Sequence, residues 1–266
     1  MVESFKKVLV VGSGLSAYGA CIALLERKNL EIDVVDIGLE RSYLNQPNNS
    51  IPNAKDIKGS FYPYGTNDNR WEIKLKSKRI SSSHAYGGYS KVYSGSIFRP
   101  SDKDLIDWPK NSIPQEIDYK TIINSLNIEK FDDELNNFPS LNNKSNRENI
   151  KRIYLGRARI AYSFIDKDKK VKVPFDSSEK FSEWKFKNKI NYFKDRRVLF
   201  IVERKNKLEV NLESYTEGKI IQSIYDYVYL ACGCVNTTAI VDRSVMGKGK
   251  RSYIIKSCPG VIGLHL

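Results

Sequence analysis

The stretch Val-Leu-Val-Val-Gly-Ser-Gly-Leu-Ser-Ala, residues 8–17, decides the fold of this chain. Its first four residues form a short continuous apolar run, which predicts a strand buried on both faces, as in a parallel sheet. Residues 12–14 predict a tight turn, and residues 15–27 predict a helix that begins with small side chains. A second buried strand is predicted at 32–36. A strand, a glycine turn, a helix and a strand within the first 40 residues predict a βαβ unit.

The spacing of the small residues in this turn predicts a dinucleotide site. Gly12 lets the chain turn sharply out of the strand, Gly14 lets a pyrophosphate approach the backbone, and Ala17 keeps the helix close to the sheet. The helix N-terminus offers free N–H groups and a partial positive charge to the phosphates. Asp36 is placed to accept hydrogen bonds from the adenosine ribose, and its charge disfavours a 2′-phosphorylated nucleotide. The predicted contacts are Gly12, Ser13, Gly14, Leu15, Ser16, Ala17 and Asp36.

The composition is typical of a folded protein without a membrane or nucleic-acid role. Of 266 residues, 41% are hydrophobic and 28% are charged, which argues against a disordered chain. No apolar run has the length of a transmembrane helix, and the glycines that interrupt residues 8–25 argue against a signal peptide. Basic residues are mixed with acidic ones throughout, so the net charge of +13 is interpreted as compositional bias, and nucleic acid is not expected as a partner.

The four cysteines and two histidines favour a reducing compartment and no metal site. The cysteines form no CxxC pair, and a zinc site would need four closely spaced ligands. The pair Cys232 and Cys234 has two interpretations, a redox pair or small buried residues, and its neighbours favour the second. The cytoplasm is therefore the expected location.

Beyond the βαβ unit, the pattern predicts a long irregular segment and several strands. Residues 41–69 are rich in Asn, Pro, Ser and Gly and predict irregular structure, whereas 118–146 predict short helices and loops. The other predicted strands are 71–80, 154–165, 225–231 and a hairpin of 198–202 with 208–212, whose turn lies near Lys205-Asn206.

Two later segments resemble a known family of flavoproteins. Residues 87–95, Gly-Gly-Tyr-Ser-Lys-Val-Tyr-Ser-Gly, followed by Arg99-Pro100 and Asp107-Trp108-Pro109, are similar to the GGxSxxWGG region of the glucose-methanol-choline (GMC) oxidoreductases. Residues 228–238 resemble their second signature, a strand that ends in A-x-G followed by Asn-Thr. The resemblance covers residues 4–110 and about 195–245. The chain departs from the family at Tyr93 and Ser94, where Trp and Gly are usual.

The resemblance implies an α/β, Rossmann-like FAD-binding domain, whereas the βαβ motif by itself does not separate NAD from FAD. It implies that Gly87, Gly88 and Ser90 lie along the flavin and pyrophosphate, where backbone N–H groups reach an anionic cofactor. The further contacts that it implies are a strand end at Gly233, helix caps at Asn236 and Thr237, and a backbone contact from Val198 to adenine. His84 has two interpretations, covalent attachment to FAD or a partly exposed loop histidine, and the second is favoured.

The resemblance also implies a reaction and a domain plan. The implied reaction is FAD-dependent oxidation of a CH–OH group on an alcohol, sugar or polyol, with a C-terminal histidine as the base. No family motif surrounds His265, so no catalytic residue is assigned, and we expect the N-terminal portion of a larger or split enzyme, completed in the split case by a separate chain. The expected parts are an FAD-binding domain (1–110 and 195–250), a partial, β-containing, substrate-domain-like insertion (111–194) and a tail (251–266).

Two rival functions stay open at this point. One is a non-catalytic relic that binds FAD or another nucleotide, and the other is an NAD-dependent reductase. Both would keep the βαβ unit and its glycine turn, so the first 40 residues do not discriminate between them.

Overall fold

A computed structural model describes residues 5–40, 82–93, 95–97, 105–126, 159–166 and 171–246. These residues divide into two compact units, one of 5–40, 82–93 and 175–246, and a second of the described residues between 95 and 174. The elements of the first unit are β1 (Lys6–Val11), α1 (Leu15–Leu25), β2 (Leu30–Val35), α3 (Ser177–Phe186), β7 (Asn191–Phe193), β8 (Arg196–Arg204), β9 (Lys207–Ser214), β10 (Ile220–Tyr225), β11 (Tyr227–Leu230) and α4 (Cys234–Met246). The elements of the second are β3 (Ser96–Ile97), α2 (Glu116–Ser125), β4 (Arg159–Ile160), β5 (Tyr162–Asp166) and β6 (Val171–Pro174).

The centre of the first unit is a four-stranded parallel sheet in the order β11-β1-β2-β7. The side chains of Val8, Leu9 and Val10 are at most 1% exposed, which confirms the prediction of a strand buried on both faces. On one side, α1 and α3 pack together through Tyr18 and Trp184, whose stacked rings lie 5.4 Å apart. The βαβ unit predicted from residues 8–36 is therefore present, with α1 two residues shorter than predicted.

An antiparallel three-stranded sheet, in the order β10-β9-β8, packs against this parallel sheet. The shared core contains apolar side chains from both sheets and from α4: Leu9, Val11, Val35, Val198, Val210, Leu212, Tyr225 and Ile240. The hairpin of β8 and β9 confirms its prediction. Its turn residues Lys205 and Asn206 have positive φ angles of 48° and 64°, as in the tight turns that suit strand twist.

The predicted single strand 225–231 is wrong, because the chain turns at Asp226. Tyr225 ends β10, which pairs with β9, and Tyr227 begins β11, which pairs in parallel with β1. Two hydrogen bonds fix this corner. The Asp226 N–H donates to the Lys7 carbonyl at 2.8 Å, and the Lys7 N–H donates to the Asp226 carboxylate at 2.9 Å. One apolar run in the sequence therefore supplies strands to two sheets.

The insertion predicted at 111–194 stays a prediction. Phe175 to Phe193 belong to the first unit, because β7 hydrogen-bonds to β2 and α3 packs on α1. Neither α3 nor β7 was expected from the sequence.

The second unit, described by itself, contains two short antiparallel strand pairs, β3 with β4 and β5 with β6, and the helix α2. Strand structure predicted for 154–165 is present from residue 159, and α2 covers the start of the predicted short helices. The predicted irregular segment 41–69, the predicted strand 71–80 and the pair Arg99-Pro100 lie outside the described residues. In the part of the chain that the structure describes, no helix has the length and apolar character needed to span a bilayer.

Candidate nucleotide site

The candidate site begins where β1 passes into α1. Gly12 has φ of +104°, its N–H donates to the Val35 carbonyl at 2.8 Å, and a Cβ at this position would lie 2.6 Å from the Ala231 carbonyl oxygen. Gly12 is therefore needed both for its conformation and for the close approach of Ala231, which directly follows β11. Gly14 is the N-cap of α1 and provides no side-chain cap, and the first turn carries no acidic residue. The N–H groups at this helix end are thus left for another partner.

A second glycine segment meets this turn. We call residues 87–91 the glycine loop: Gly87 precedes a single turn of 3-10 helix, Gly88–Lys91. A Cβ on Gly14 would have the Gly87 carbonyl oxygen at 3.9 Å and the Gly88 Cα at 4.0 Å as its nearest neighbours, both backbone atoms. A Cβ on Gly88 would lie 3.2 Å from the Gly14 Cα. The two glycine segments, 73 residues apart in sequence from Gly14 to Gly87, therefore meet backbone to backbone, with no described side chain between them.

The Asp36 carboxyl group lies beside the same turn, directly after β2. It accepts a hydrogen bond from the Ser13 hydroxyl, and the Ser13 oxygen accepts one from the Gly87 N–H at 2.8 Å. Burial raises the pKa of Asp36 to about 7, although hydrogen bonds from Ser13 and from the Ile37 and Gly38 backbones oppose this rise. Asp36 is thus tied to the α1 turn through one serine, and its predicted contact with the ribose stays a prediction.

The N-terminus of α3 holds the other side of the glycine loop. The Ser177 hydroxyl donates to the Ser13 carbonyl at 2.7 Å and lies 2.9 Å from the Ser90 hydroxyl. Asp176 caps α3 by accepting from the Ser178 N–H at 2.9 Å, and its other oxygen pairs with the Lys91 ammonium at 2.7 Å. Neither Lys91 nor the residues at the N-terminus of α3 were predicted from the sequence as part of the site. The spacing of Asp176 and Glu179, a cap followed three residues later by an acid, is a signal for the helix start but does not indicate the loop that it contacts.

The remaining predicted site residues are only partly brought together here. Ser90 is 2% exposed and bonds to the Gly87 carbonyl at 2.6 Å, Ser16 is exposed and Ala17 is fully buried. Gly233 has φ of +80° and follows Ala231 and Cys232, which flank Gly12. The Val198 side chain lies in the core, and its predicted adenine contact stays a prediction.

Asn236 and Thr237 are not helix caps. Because α4 begins at Cys234, both lie inside its first turn. The Asn236 amide donates to the Cys232 carbonyl at 3.3 Å, and the Thr237 hydroxyl lies 3.5 Å from the Cys232 sulfur. Cys234 is exposed, so the interpretation of both cysteines as buried residues is also wrong for it.

His84 is not the partly exposed loop histidine that was favoured. Its side chain is 3% exposed, and its ring packs edge-on against Tyr215 with centroids 5.7 Å apart. Tyr93, which replaces the family's usual Trp, is also buried, and burial raises the pKa of its hydroxyl. Burial likewise raises the pKa of Cys232 to about 11. None of these three side chains is suited by its surroundings to act as an exposed acid or base.

A cleft of about 430 Å³ lies beside Asp36 in the first unit. Tyr86 and Tyr192 form one wall, with ring centroids 4.7 Å apart. Burial raises the pKa of both tyrosines, and the negative charge of Asp36 adds to the rise at each. Lys185 and Lys194 also line the cleft. Within the described ranges, no group of acidic, histidine or cysteine side chains is arranged to hold a metal ion.

Comparison with solved structures identifies the architecture. The chain is similar to pyridoxine 4-oxidase from Mesorbium loti, with a TM-score of 0.58 and 11% identity over 90% of this chain and 52% of that one. The fold is a Rossmann-like FAD-binding fold. An FAD-dependent oxidoreductase from Chaetomium thermophilum matches with a TM-score of 0.55 and 12% identity, over 90% of this chain and 47% of that one.

A third solved structure with the FAD-binding fold is formate oxidase from Aspergillus oryzae RIB40. It matches with a TM-score of 0.51 and 12% identity, over 91% of this chain and 48% of that one. This chain thus spans about half the length of each of these structures. No protein-family model matches the sequence, and no curated protein matches it significantly.

Proposed function

We propose that this chain binds FAD at the start of α1 and forms the cofactor-binding part of a GMC-type oxidoreductase. The observation that carries the proposal is the meeting of two glycine backbones, at Gly14 and at Gly87–Gly88, beside an uncapped helix end. Uncapped N–H groups and the helix dipole attract an anion, and the absence of side chains lets it come close. The fold shared with FAD-dependent enzymes supports the choice of FAD over NAD.

The residues at the site fit a flavin dinucleotide. The first-turn N–H groups of α1, including those of Leu15 and Ser16, would hold the pyrophosphate, and no acid in that turn would repel it. Asp36 would accept hydrogen bonds from the ribose hydroxyls. The glycine loop and Gly233 would face the flavin side, where their lack of side chains leaves room for a planar ring. When bound, FAD supplies a hydride acceptor.

The reaction that we propose is oxidation of a CH–OH group on a small-molecule alcohol, sugar or polyol. Such a reaction needs a base that accepts the hydroxyl proton. His84 does not suit that task, because it is buried against Tyr215. We therefore assign the base to a residue outside the described part, on this polypeptide or on a separate chain that completes the enzyme. Free thiols at Cys21, Cys232 and Cys234 agree with a reducing location such as the cytoplasm.

An absorbance spectrum of the purified protein tests FAD binding most directly. We expect a flavin absorbance band at about 450 nm. If the protein is purified without FAD, we expect its melting temperature to increase when FAD is added. NADH and ADP, tested in parallel, separate the rival functions. A shift with NADH but not with FAD would indicate the reductase, and a shift with ADP alone would indicate a nucleotide-binding relic.

A variant pair locates the binding site. Gly14→Val fills the space between the two glycine segments, and we expect it to abolish FAD binding. Ala23→Val makes a similar change on the exposed face of α1 and should bind FAD as the wild type does. Wild-type affinity in Gly14→Val would place the cofactor elsewhere and overturn the proposal.

A further inference from the structure

One serine hydroxyl connects the Asp36 carboxyl to the glycine loop. Ser13 donates its hydroxyl proton to Asp36 and accepts the Gly87 N–H at 2.8 Å. The Ser13 side chain is only 2% exposed, so bulk water does not compete for either bond. These two bonds form a continuous chain from a backbone N–H of the loop, through a hydroxyl, to a carboxyl oxygen.

The loop has other anchors that do not pass through Asp36. Ser90 donates to the Gly87 carbonyl at 2.6 Å, and Ser177 lies within hydrogen-bond distance of that carbonyl at 3.2 Å. Lys91 pairs with Asp176 at 2.7 Å. These bonds hold the loop whatever the charge on Asp36. The Ser13 hydroxyl is different, because its acceptor is the Asp36 carboxyl group.

The surroundings of Asp36 allow its carboxyl group to be either neutral or ionised near neutral pH. The titratable groups that interact with it are Tyr86, Tyr192 and Cys232, and the cleft beside it is also lined by Glu40, Lys185 and Lys194. The donors that reach the carboxyl group itself are the uncharged Ser13 hydroxyl and the Ile37 and Gly38 N–H groups. Hydrogen-bond donors that reach the carboxylate, such as ribose hydroxyls, favour its ionised form. An ionised acceptor makes a stronger hydrogen bond, and a chain of hydrogen bonds is polarised along its length.

We propose that Ser13 is a positioning residue that couples the ionised Asp36 carboxylate, and the nucleotide ribose bound to it, to the conformation of the glycine loop. The coupling to ribose rests on the proposed function, whereas the chain of hydrogen bonds does not. Binding at the adenosine end of the cofactor then stabilises the loop that faces its pyrophosphate and flavin end. The position is the variable residue between Gly12 and Gly14, and here it is a serine.

The amide signal of Gly87 reports on the chain of hydrogen bonds directly. Tyrosine labelled with ¹³C at the carbonyl and glycine labelled with ¹⁵N give amide signals only for the three Tyr–Gly pairs, at Gly19, Gly65 and Gly87. We expect the Gly87 signal to titrate with Asp36 between about pH 5 and about pH 9. The signal of Gly19, which lies in the second turn of α1, serves as the reference.

Three variants separate coupling from simple anchoring. The titration should disappear in Ser13→Ala, which breaks the chain of hydrogen bonds, and in Asp36→Asn, which keeps an acceptor oxygen but cannot ionise. It should persist in Ser177→Ala, which removes an anchor of the same loop. Asp36→Asn also keeps the test decisive if Ser13→Ala does not fold, because it shows whether Asp36 is the group that titrates. A titration that is unchanged in Ser13→Ala or in Asp36→Asn would overturn the proposal.

ADP tests whether the ribose uses the same coupling. We expect ADP to shift the Gly87 signal in the wild type and in Ser177→Ala, but not in Ser13→Ala, whose ADP affinity should fall roughly threefold to tenfold. ADP binding without a wild-type shift of Gly87 would overturn the coupling and leave the nucleotide site intact. Failure of both ADP and FAD to bind the wild type, with the pH titration intact, would overturn the proposed function and the ribose part of the coupling while the hydrogen-bonded chain stands.

Discussion

The N-termini of α1 and α3 lie against the same glycine loop, but their ends are capped differently. Asp176 caps α3, Glu179 adds an acid in its first turn, and Lys91 pairs with the cap. Gly14 caps α1 without a side chain, and that first turn has no acid. The partial positive charge of α3 is therefore neutralised within the protein, whereas that of α1 is left for an anion. The N-terminus of α3 therefore holds the glycine loop, whereas the N-terminus of α1 can hold a ligand.

The largest expected effect comes from removing the turn that begins α1. Gly12→Ala places a Cβ 2.6 Å from the Ala231 carbonyl at a φ of +104°, so both the clash and the strained backbone oppose folding. We expect the free energy of unfolding to fall by about 3 kcal/mol or more, measured by urea denaturation. Gly218→Ala is the matched control, because Gly218 also has positive φ but has open space around it. Equal losses of stability in the two variants would show that the clash with the Ala231 carbonyl does not matter.

A smaller effect is expected when the cap of α3 is removed. Asp176→Ala deletes the acceptor of the Ser178 N–H and the partner of Lys91, and we expect a loss of about 2 kcal/mol in the free energy of unfolding. FAD affinity should fall as well, because the glycine loop loses an anchor. Glu217→Ala, at an exposed acid, provides the baseline. Stability at the baseline level with weaker FAD binding would mean that Asp176 contributes to the cofactor site and not to the fold.

A pH series tests the carboxyl group beside α1. Because the pKa of Asp36 is about 7 in the folded state and 3.8 ordinarily, the folded state binds its proton more tightly. The free energy of unfolding of the nucleotide-free protein should therefore decrease from about pH 4 to about pH 7 and stay low above that range. Asp36→Asn should lack this decrease, so the stability difference between the two proteins should grow with pH. Parallel profiles would contradict the raised pKa.

The smallest expected effect comes from giving α1 the acid that α3 has. Ser16 is exposed in the first turn of α1, and Ser16→Glu adds a carboxylate there without burial. We expect a gain of about 0.5 kcal/mol in the free energy of unfolding and a severalfold loss of ADP affinity, because the carboxylate competes with phosphate. Calorimetric titration with ADP measures the second effect, and Ser16→Gln controls for size. If the two variants bind ADP equally, the helix end is not the phosphate site.

The segment around Ala231–Gly233 and the residue His84 show what could be predicted from the sequence and what could not. The A-x-G strand end was found at Ala231–Gly233, and it does flank Gly12. The caps assigned to Asn236 and Thr237 were wrong, since α4 begins at Cys234. The exposure expected for His84 was wrong as well, because Tyr215, 131 residues away, covers it. Local motifs identify a turn, but they do not identify the distant side chains that pack around it.

By itself, the sequence determined the βαβ unit, the glycine turn, the position of Asp36 and the hairpin of β8 and β9. Each of these depends on neighbouring residues, since burial of a short strand, positive φ angles and turn formation are local properties. Only the tertiary structure decided that β7 extends the sheet beside β2, that 225–231 divides between two sheets, and that Ser177 reaches Ser13 across 164 residues. These contacts depend on which apolar surfaces are buried together, and no pattern within one segment specifies that choice.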